Sequence, residues 1–114
     1  MFRRFILWAV LGLSFPAQAQ EPARQFQGFT YPGNDSCASW SEYRKGNRAP
    51  QLEGWVLGFV TAYNMFGSGN RLAGADTNAK GLLAWVDQYC ATNPLDTVMT
   101  ASSKLVIELK NRQR

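Results

Sequence analysis

The chain has few residues that could carry acid–base or metal chemistry. It has no histidine, so no side chain ordinarily titrates between about pH 5 and 8. Its 8 carboxylates fall mostly where a helix cap, a first helical turn or a polar helix face explains them. A glycosidase-like pair such as Asp76 and Asp87 stays open, because the sequence does not give the distance between them. We therefore expect a protein that is not an enzyme, with no catalytic residues, metal or cofactor.

Cys37 and Cys90 are the 2 cysteines of the chain. In an exported protein, two cysteines most simply form one disulfide. A bridge between them closes a loop of about 54 residues, to which the chain-entropy model assigns about 4 kcal/mol of stabilisation. A metal pair or a reactive thiol is the alternative, although neither a histidine nor a third cysteine is present to complete a zinc site.

The N-terminus predicts export. Arg3 and Arg4 precede an apolar run over residues 5–15, and Ala17-Gln18-Ala19 matches a signal-peptidase cleavage site. The run is shorter than the roughly 20 residues that cross a bilayer. A retained anchor and the twin-arginine route are the alternatives. We expect a signal peptide over residues 1–19, cleavage after Ala19, and a periplasmic protein with no stable membrane anchor.

Cleavage leaves 95 residues (114 − 19), which is enough for one small domain. It also removes two of the 12 basic residues, so 10 basic residues face 8 acidic ones and the net charge is +2. The cations are scattered, which argues against a nucleic-acid partner. Prolines and glycines in residues 20–34 predict an extended arm, whose Phe26, Phe29 or Tyr31 would pack on the core. Residues 35–114 then form a single helical domain.

Hydrophobic spacing and capping residues predict four helices. Their expected bounds are 35 or 36 to about 45, 51 to 66 with Pro50 in the first turn, 76 or 77 to about 91, and 93 onwards. The fold class is therefore all-α, a small orthogonal or bundle-like domain of about four helices with one disulfide. Gly54, Gly58 and Ala62 form a strip of small residues on the second helix, which predicts a closely approaching neighbour.

Apolar residues at helical spacing predict the core. The expected inward residues are Cys37, Trp40 and the stem of Arg44, then Leu52, Trp55, Val56, Phe59, Val60, Tyr63 and Phe66, then Ala79, Leu82, Leu83, Val86, Tyr89 and Cys90, and finally Leu95, Val98, Met99, Ser102, Leu105, Val106 and Leu109. Leu57 and Met65 lie off this stripe, Trp85 lies between two faces, and Ile107 lies on the polar side of the last helix.

The arrangement resembles the HdeA/HdeB family of periplasmic acid-stress chaperones. The similarity lies in the signal peptide, the Ser-Cys-Ala-Ser-Trp run at residues 36–40, the apolar glycine-containing helix at residues 54–59 and the Val-Asp-Gln-Tyr-Cys end of the third helix at residues 86–90. An amphipathic last helix with a basic tail completes it. The resemblance covers residues 35–114.

The resemblance implies an oxidised helical domain that is dimeric near neutral pH and binds denatured protein clients through apolar surface exposed in acid. The second helix would then supply both kinds of contact, with Leu57, Met65, Trp85 and Trp55 as the binding residues. Ordinary packing is the simpler explanation of each side chain, since isolated exposed apolar residues are common. Two other functions remain open, a periplasmic inhibitor or immunity protein that binds a cell-wall-degrading effector, and a non-catalytic envelope subunit.

Overall fold

The computed structural model describes residues 12–14 and 32–113. Its four helices are α1 (Cys37–Lys45), α2 (Pro50–Phe66), α3 (Ala79–Thr92) and α4 (Val98–Asn111). The described residues form no strand, only an isolated antiparallel bridge between Ser36 and Thr97. The predicted all-α class and the number of helices are confirmed. The predicted cleavage site and the aromatic residues of the arm lie outside the described residues.

The predicted disulfide is confirmed. It joins Cys37, the first residue of α1, to Cys90 near the end of α3, and the two Cα atoms lie 4.7 Å apart. Both cysteines are fully buried. Because the bridge ties the start of one helix to the end of another, it fixes their relative position, and α1 packs chiefly against α3.

Side-chain caps begin three of the helices. Each cap residue has an extended backbone, and its side-chain oxygen accepts a hydrogen bond from the N–H three residues later. The caps of α1, α3 and α4 are Ser36, Asn78 and Thr97. α2 has Pro50 in its first turn, where a fixed φ and a missing N–H are well tolerated. The predicted starts of α1 and α2 are therefore confirmed.

α3 begins later than the sequence predicts. Asp76 and Thr77 lie in the preceding turn and bend, and the backbone N–H of Thr77 donates to the carbonyl of Gly74 over 3.1 Å. Asn78 caps the helix instead, accepting from the N–H of Gly81 at 3.0 Å. Ala79 is exposed at the helix start rather than part of the core, because only the later residues of α3 face the other helices.

The start of α4 differs most from the sequence prediction. Residues 93–96 look like a capped helix start, but α4 begins only after Thr97. Asn93 ends α3, with its side-chain amide donating to the carbonyl of Tyr89 at 2.9 Å. The carbonyls of Pro94 and Asp96 in this turn accept the N–H groups of Ala38 and Cys37, at 3.1 and 2.7 Å. These are the first two N–H groups of α1, and a helix cannot satisfy them internally. Leu95, predicted to point inward, is 95% exposed.

All four helices contribute to one core. α2 and α3 each bury one residue per turn at a spacing of four, and α4 buries a broader face. The buried core residues of the helices are Cys37, Trp40, Leu52, Val56, Val60, Leu82, Val86, Cys90, Val98, Ala101, Leu105, Val106 and Leu109. The helical period therefore predicted most of the core.

Two predictions about α2 are wrong. Phe66 is 85% exposed, because it lies in the last turn beside an open groove rather than under another helix. Gly54, Gly58 and Ala62 are also exposed. A Cβ added at either glycine would have no heavy atom within 4 Å, so in the described part of the chain no helix packs on this strip.

Candidate functional site

The four residues predicted to bind a partner differ in their exposure. Met65 is 68% exposed near the end of α2. Leu57, Trp55 and Trp85 are half-buried and pack against the core. The structure therefore leaves only Met65 of this group largely free for contact with another molecule.

The two tryptophans of that group are used inside the domain. Gly33 is buried against Trp55, so closely that a Cβ at this position would lie 2.5 Å from Cζ2 of the indole. The same indole lies 5.5 Å from the ring of Phe59. Trp85 stacks on Tyr89 with ring centroids 5.5 Å apart. Their energetic role is thus mainly in packing.

A shallow apolar groove between α2 and α4 offers a different surface. Its volume is about 570 Å³, and it is lined by Phe59, Ala62, Tyr63, Phe66, Gly67, Ser103, Val106 and Ile107. The side chains of Phe66 and Ile107 are 85% and 52% exposed. The sequence assigned Phe66 to the core and correctly placed Ile107 on the polar side of α4. The signal that could have identified the groove was Ile107, an apolar residue that lies between Lys104 and Lys110 on the solvent-exposed face of α4.

A second constellation joins three helices through the guanidinium group of Arg44 on α1. Its Nε and Nη2 donate to the two carboxylate oxygens of Asp87 on α3 at 2.9 and 2.7 Å. Its Nη1 donates to Glu53 on α2 at 2.8 Å. The indole N–H of Trp40 also donates to Asp87 at 2.8 Å, and the guanidinium carbon lies 5.7 Å from that ring. We call these four residues the Arg44 clip.

The Arg44 clip depends on opposite charges. The hydrogen bonds to Asp87 raise the pKa of Arg44, partial burial opposes them, and the hydrogen bond to Glu53 adds to the rise. Among residues 32–113, Arg44 makes both ion pairs that connect different helices, since the pair of Arg112 with Glu108 lies within α4. The sequence placed only the Arg44 stem inward and Asp87 on a polar face, because neither partner is recognisable without the helix arrangement.

Tyr89 and Asp96 form a smaller polar contact next to the turn that precedes α4. The phenol O–H donates to the carboxylate of Asp96. This hydrogen bond, then partial burial, raises the pKa of Tyr89 above its usual 10.0. The contact ties the last turn of α3 to the turn that caps α1.

The described residues contain no group of three or more histidine, cysteine, aspartate or glutamate side chains that could hold a metal ion. The carboxylate of Asp87 is already bound by Arg44 and Trp40, and Asp76 is exposed in the loop before α3. In the described part of the chain, no helix is both long and apolar enough for a membrane span.

We expect Arg44→Met to lower the free energy of unfolding at pH 7 by about 1–2 kcal/mol, because it removes two partly buried ion pairs and keeps the aliphatic stem. Arg112→Gln is the matched control. Its ion pair is more exposed, with side chains 46% and 42% accessible, so we expect a change below about 0.5 kcal/mol. Urea unfolding of both variants measures the difference. Equal effects would show that the Arg44 clip adds no stability beyond a surface pair.

The fold and these sites define a small disulfide-linked four-helix domain with an apolar groove and an ion-paired clip across three helices. No protein-family model, curated protein or solved structure matches the chain. The likeness to the HdeA/HdeB family therefore stays a prediction from the sequence pattern.

Proposed function

We propose that this chain is an exported stress protein of the HdeA/HdeB kind, which binds unfolded periplasmic proteins in acid. The observation that carries the proposal is the Arg44 clip, in which both ion pairs between described helices use a carboxylate. Neutralising the acidic partners in acid removes the charge attraction of both pairs and leaves a partly buried cation without a counter-ion, which is unfavourable. Acid therefore acts directly on the contact that joins α1, α2 and α3.

The change in net charge also favours opening of the domain in acid. Neutralising all 8 carboxylates takes the mature chain from +2 (10 − 8) to +10, before the termini are counted. Self-repulsion of this size disfavours a compact state. The disulfide is insensitive to this protonation and keeps α1 joined to α3. We therefore expect α2 to separate first.

Release of α2 would uncover apolar surface suited to unfolded clients. The buried residues of α2 are Leu52, Val56 and Val60, and Leu82 and Val86 belong to the same core cluster. Exposing contiguous apolar area creates a surface that binds other apolar chains. Client binding in acid and a closed domain at neutral pH follow from the same set of contacts.

A light-scattering assay tests this function. The purified, oxidised mature protein should suppress aggregation of an acid-denatured client at about pH 2–3 and have no effect at about pH 7, because carboxylates protonate below about pH 4. Arg44→Met should move the onset of suppression to higher pH, whereas Arg112→Gln should leave it unchanged. Sedimentation across the same pH range tests the dimer that the resemblance implies.

Two results would contradict the proposal. Absence of suppression in acid would exclude the stress function, and identical onsets for both variants would exclude the Arg44 clip as its trigger. A stable complex with a single hydrolase at neutral pH, together with no acid activity, would instead support the inhibitor function.

A further inference from the structure

Four exposed apolar side chains of the folded domain lie at the end of α2, in the loop that follows it and on α4. Met65 and Phe66 in the last turn of α2 are 68% and 85% exposed. Ile107 on α4 is 52% exposed and lines the groove together with Phe66. Leu72, in the loop after α2, is 56% exposed. We call Met65, Phe66, Leu72 and Ile107 the apolar end.

Hydrogen bonds place the loop of Leu72 beside both helices. The side chain of Asn64 on α2 binds the N–H and the carbonyl of Ala73, at 2.7 and 3.0 Å. The side-chain amide of Gln113, just beyond α4, donates to the carbonyl of Leu72. The apolar end therefore draws on three neighbouring chain segments, α2, the loop after it and α4.

The charges around the apolar end are mainly positive. Lys104 and Lys110 lie one turn before and one turn after Ile107, on the same side of α4. The ammonium group of Lys110 lies 5.8 Å from the centroid of the Tyr63 ring at the groove. Arg71, beside Leu72, donates to the carbonyl of Gln113 at 2.8 Å, so its cation is held at this end.

Negative charge is scarce on the same elements. The sequence has no aspartate or glutamate from Gly54 to Ala75. Glu108 is the one acidic residue of α4, and its carboxylate is paired with Arg112 at 3.2 Å. The positive groups of Lys104, Lys110 and Arg71 are therefore not balanced by acidic residues of these segments.

We propose that the apolar end of the folded domain binds the surface of an anionic phospholipid bilayer. Exposed aromatic and aliphatic side chains enter the boundary between headgroups and acyl chains, and neighbouring lysines and arginines contact the phosphates. Long basic side chains suit this position, because the stem can lie along apolar surface while the charge stays at the headgroups.

The chemistry of the apolar end and its spread over three chain segments favour a bilayer over an acidic protein segment. A peptide that binds a helical groove uses a narrow row of anchors, whereas the apolar end spans α2, the following loop and α4. Lipid phosphodiesters also stay ionised at acid pH values that neutralise carboxylates, so this contact would persist where an acidic peptide loses its charge. The inference does not depend on the proposed stress function, since it concerns the folded protein at neutral pH.

Vesicle co-sedimentation at pH 7 tests the proposal with the oxidised mature protein. Vesicles of mixed phosphatidylglycerol and phosphatidylcholine should bind it at least about tenfold more tightly than vesicles of phosphatidylcholine alone. Added salt should release it, because exposed charges are screened. Lys104→Gln with Lys110→Gln should weaken binding to the anionic vesicles about tenfold. Phe66→Ser with Ile107→Ser should weaken it to a similar extent.

Leu95→Ser is the matched control. Leu95 is 95% exposed but lies before the start of α4, away from Ile107, so its replacement should leave vesicle binding unchanged. The lysine variant changes only exposed side chains, and circular dichroism before the assay verifies its fold. Absence of binding to anionic vesicles, equal binding to both vesicle types, or equal weakening by Leu95→Ser would overturn the proposal. Capture of an acidic protein segment without any vesicle binding would overturn it in favour of a protein partner.

Discussion

Replacing Cys37 and Cys90 together by alanine is expected to lower the free energy of unfolding by about 2–5 kcal/mol. The bridge spans a sequence separation of 53 residues, so its loss frees a long loop in the unfolded chain. Small domains of this size have a net stability of about 5–15 kcal/mol. The loss is therefore expected to unfold a large part of the population at elevated temperature.

Urea unfolding at pH 7 measures this effect, with oxidised wild-type protein as the reference. Reduced wild-type protein should match the double-alanine variant, and reductant should not change the variant further. A loss below about 1 kcal/mol would mean that packing of α1 on α3, rather than the covalent link, holds the two helices together.

Trp40→Ala is expected to cost about 3–5 kcal/mol. Trp40 is one of the largest fully buried side chains of the described residues, with 0% of its surface exposed. The truncation leaves a large cavity beneath α1 and removes the indole N–H that donates to Asp87. It also removes the ring over which the guanidinium of Arg44 lies. Core packing and the Arg44 clip are thus disrupted by one substitution.

Two further variants separate these contributions. Trp40→Phe keeps an aromatic ring in the core but lacks the N–H, so we expect a smaller loss of about 1–2 kcal/mol. Trp85→Ala removes a half-buried indole that stacks on Tyr89, and we expect a loss of less than about 2 kcal/mol. Equal losses for Trp40→Ala and Trp85→Ala in urea unfolding would contradict a central role of Trp40.

Local signals predicted α1 and α2 well. Ser36 and Pro50 predict the helix starts because each acts only within the first turn of its helix, so its effect does not depend on the rest of the fold. The turn at residues 93–96 carries equally good signals, yet its backbone caps α1 and α3 instead. Whether such a turn starts the following helix or caps other helices depends on where α1 lies, and α1 is distant in sequence. Helix propensity alone could not distinguish the two roles.

The candidate sites were less predictable than the helices. The helical period places Phe66 on the inward side of α2, but a periodic pattern does not say where the neighbouring helix ends. Arg44 and Asp87 are separated by 43 residues, and their pairing needs the α1–α3 packing that the disulfide imposes. Met65 and Ile107 were identified as outside the core, although the place of Ile107 beside the groove required the position of α4.

The sequence by itself determined that this chain is all-α, where most of its core residues lie and that its two cysteines pair. These properties follow from residue type and short-range spacing, which act within one helix or through a unique pair of sulfur atoms. Only the tertiary structure decided that Arg44 connects three helices and that the strip of small residues on α2 faces solvent. It also decided that apolar and basic side chains of separate segments lie near one another at the apolar end. Those features depend on helix lengths and crossing positions, which the combined packing energy of the whole domain sets.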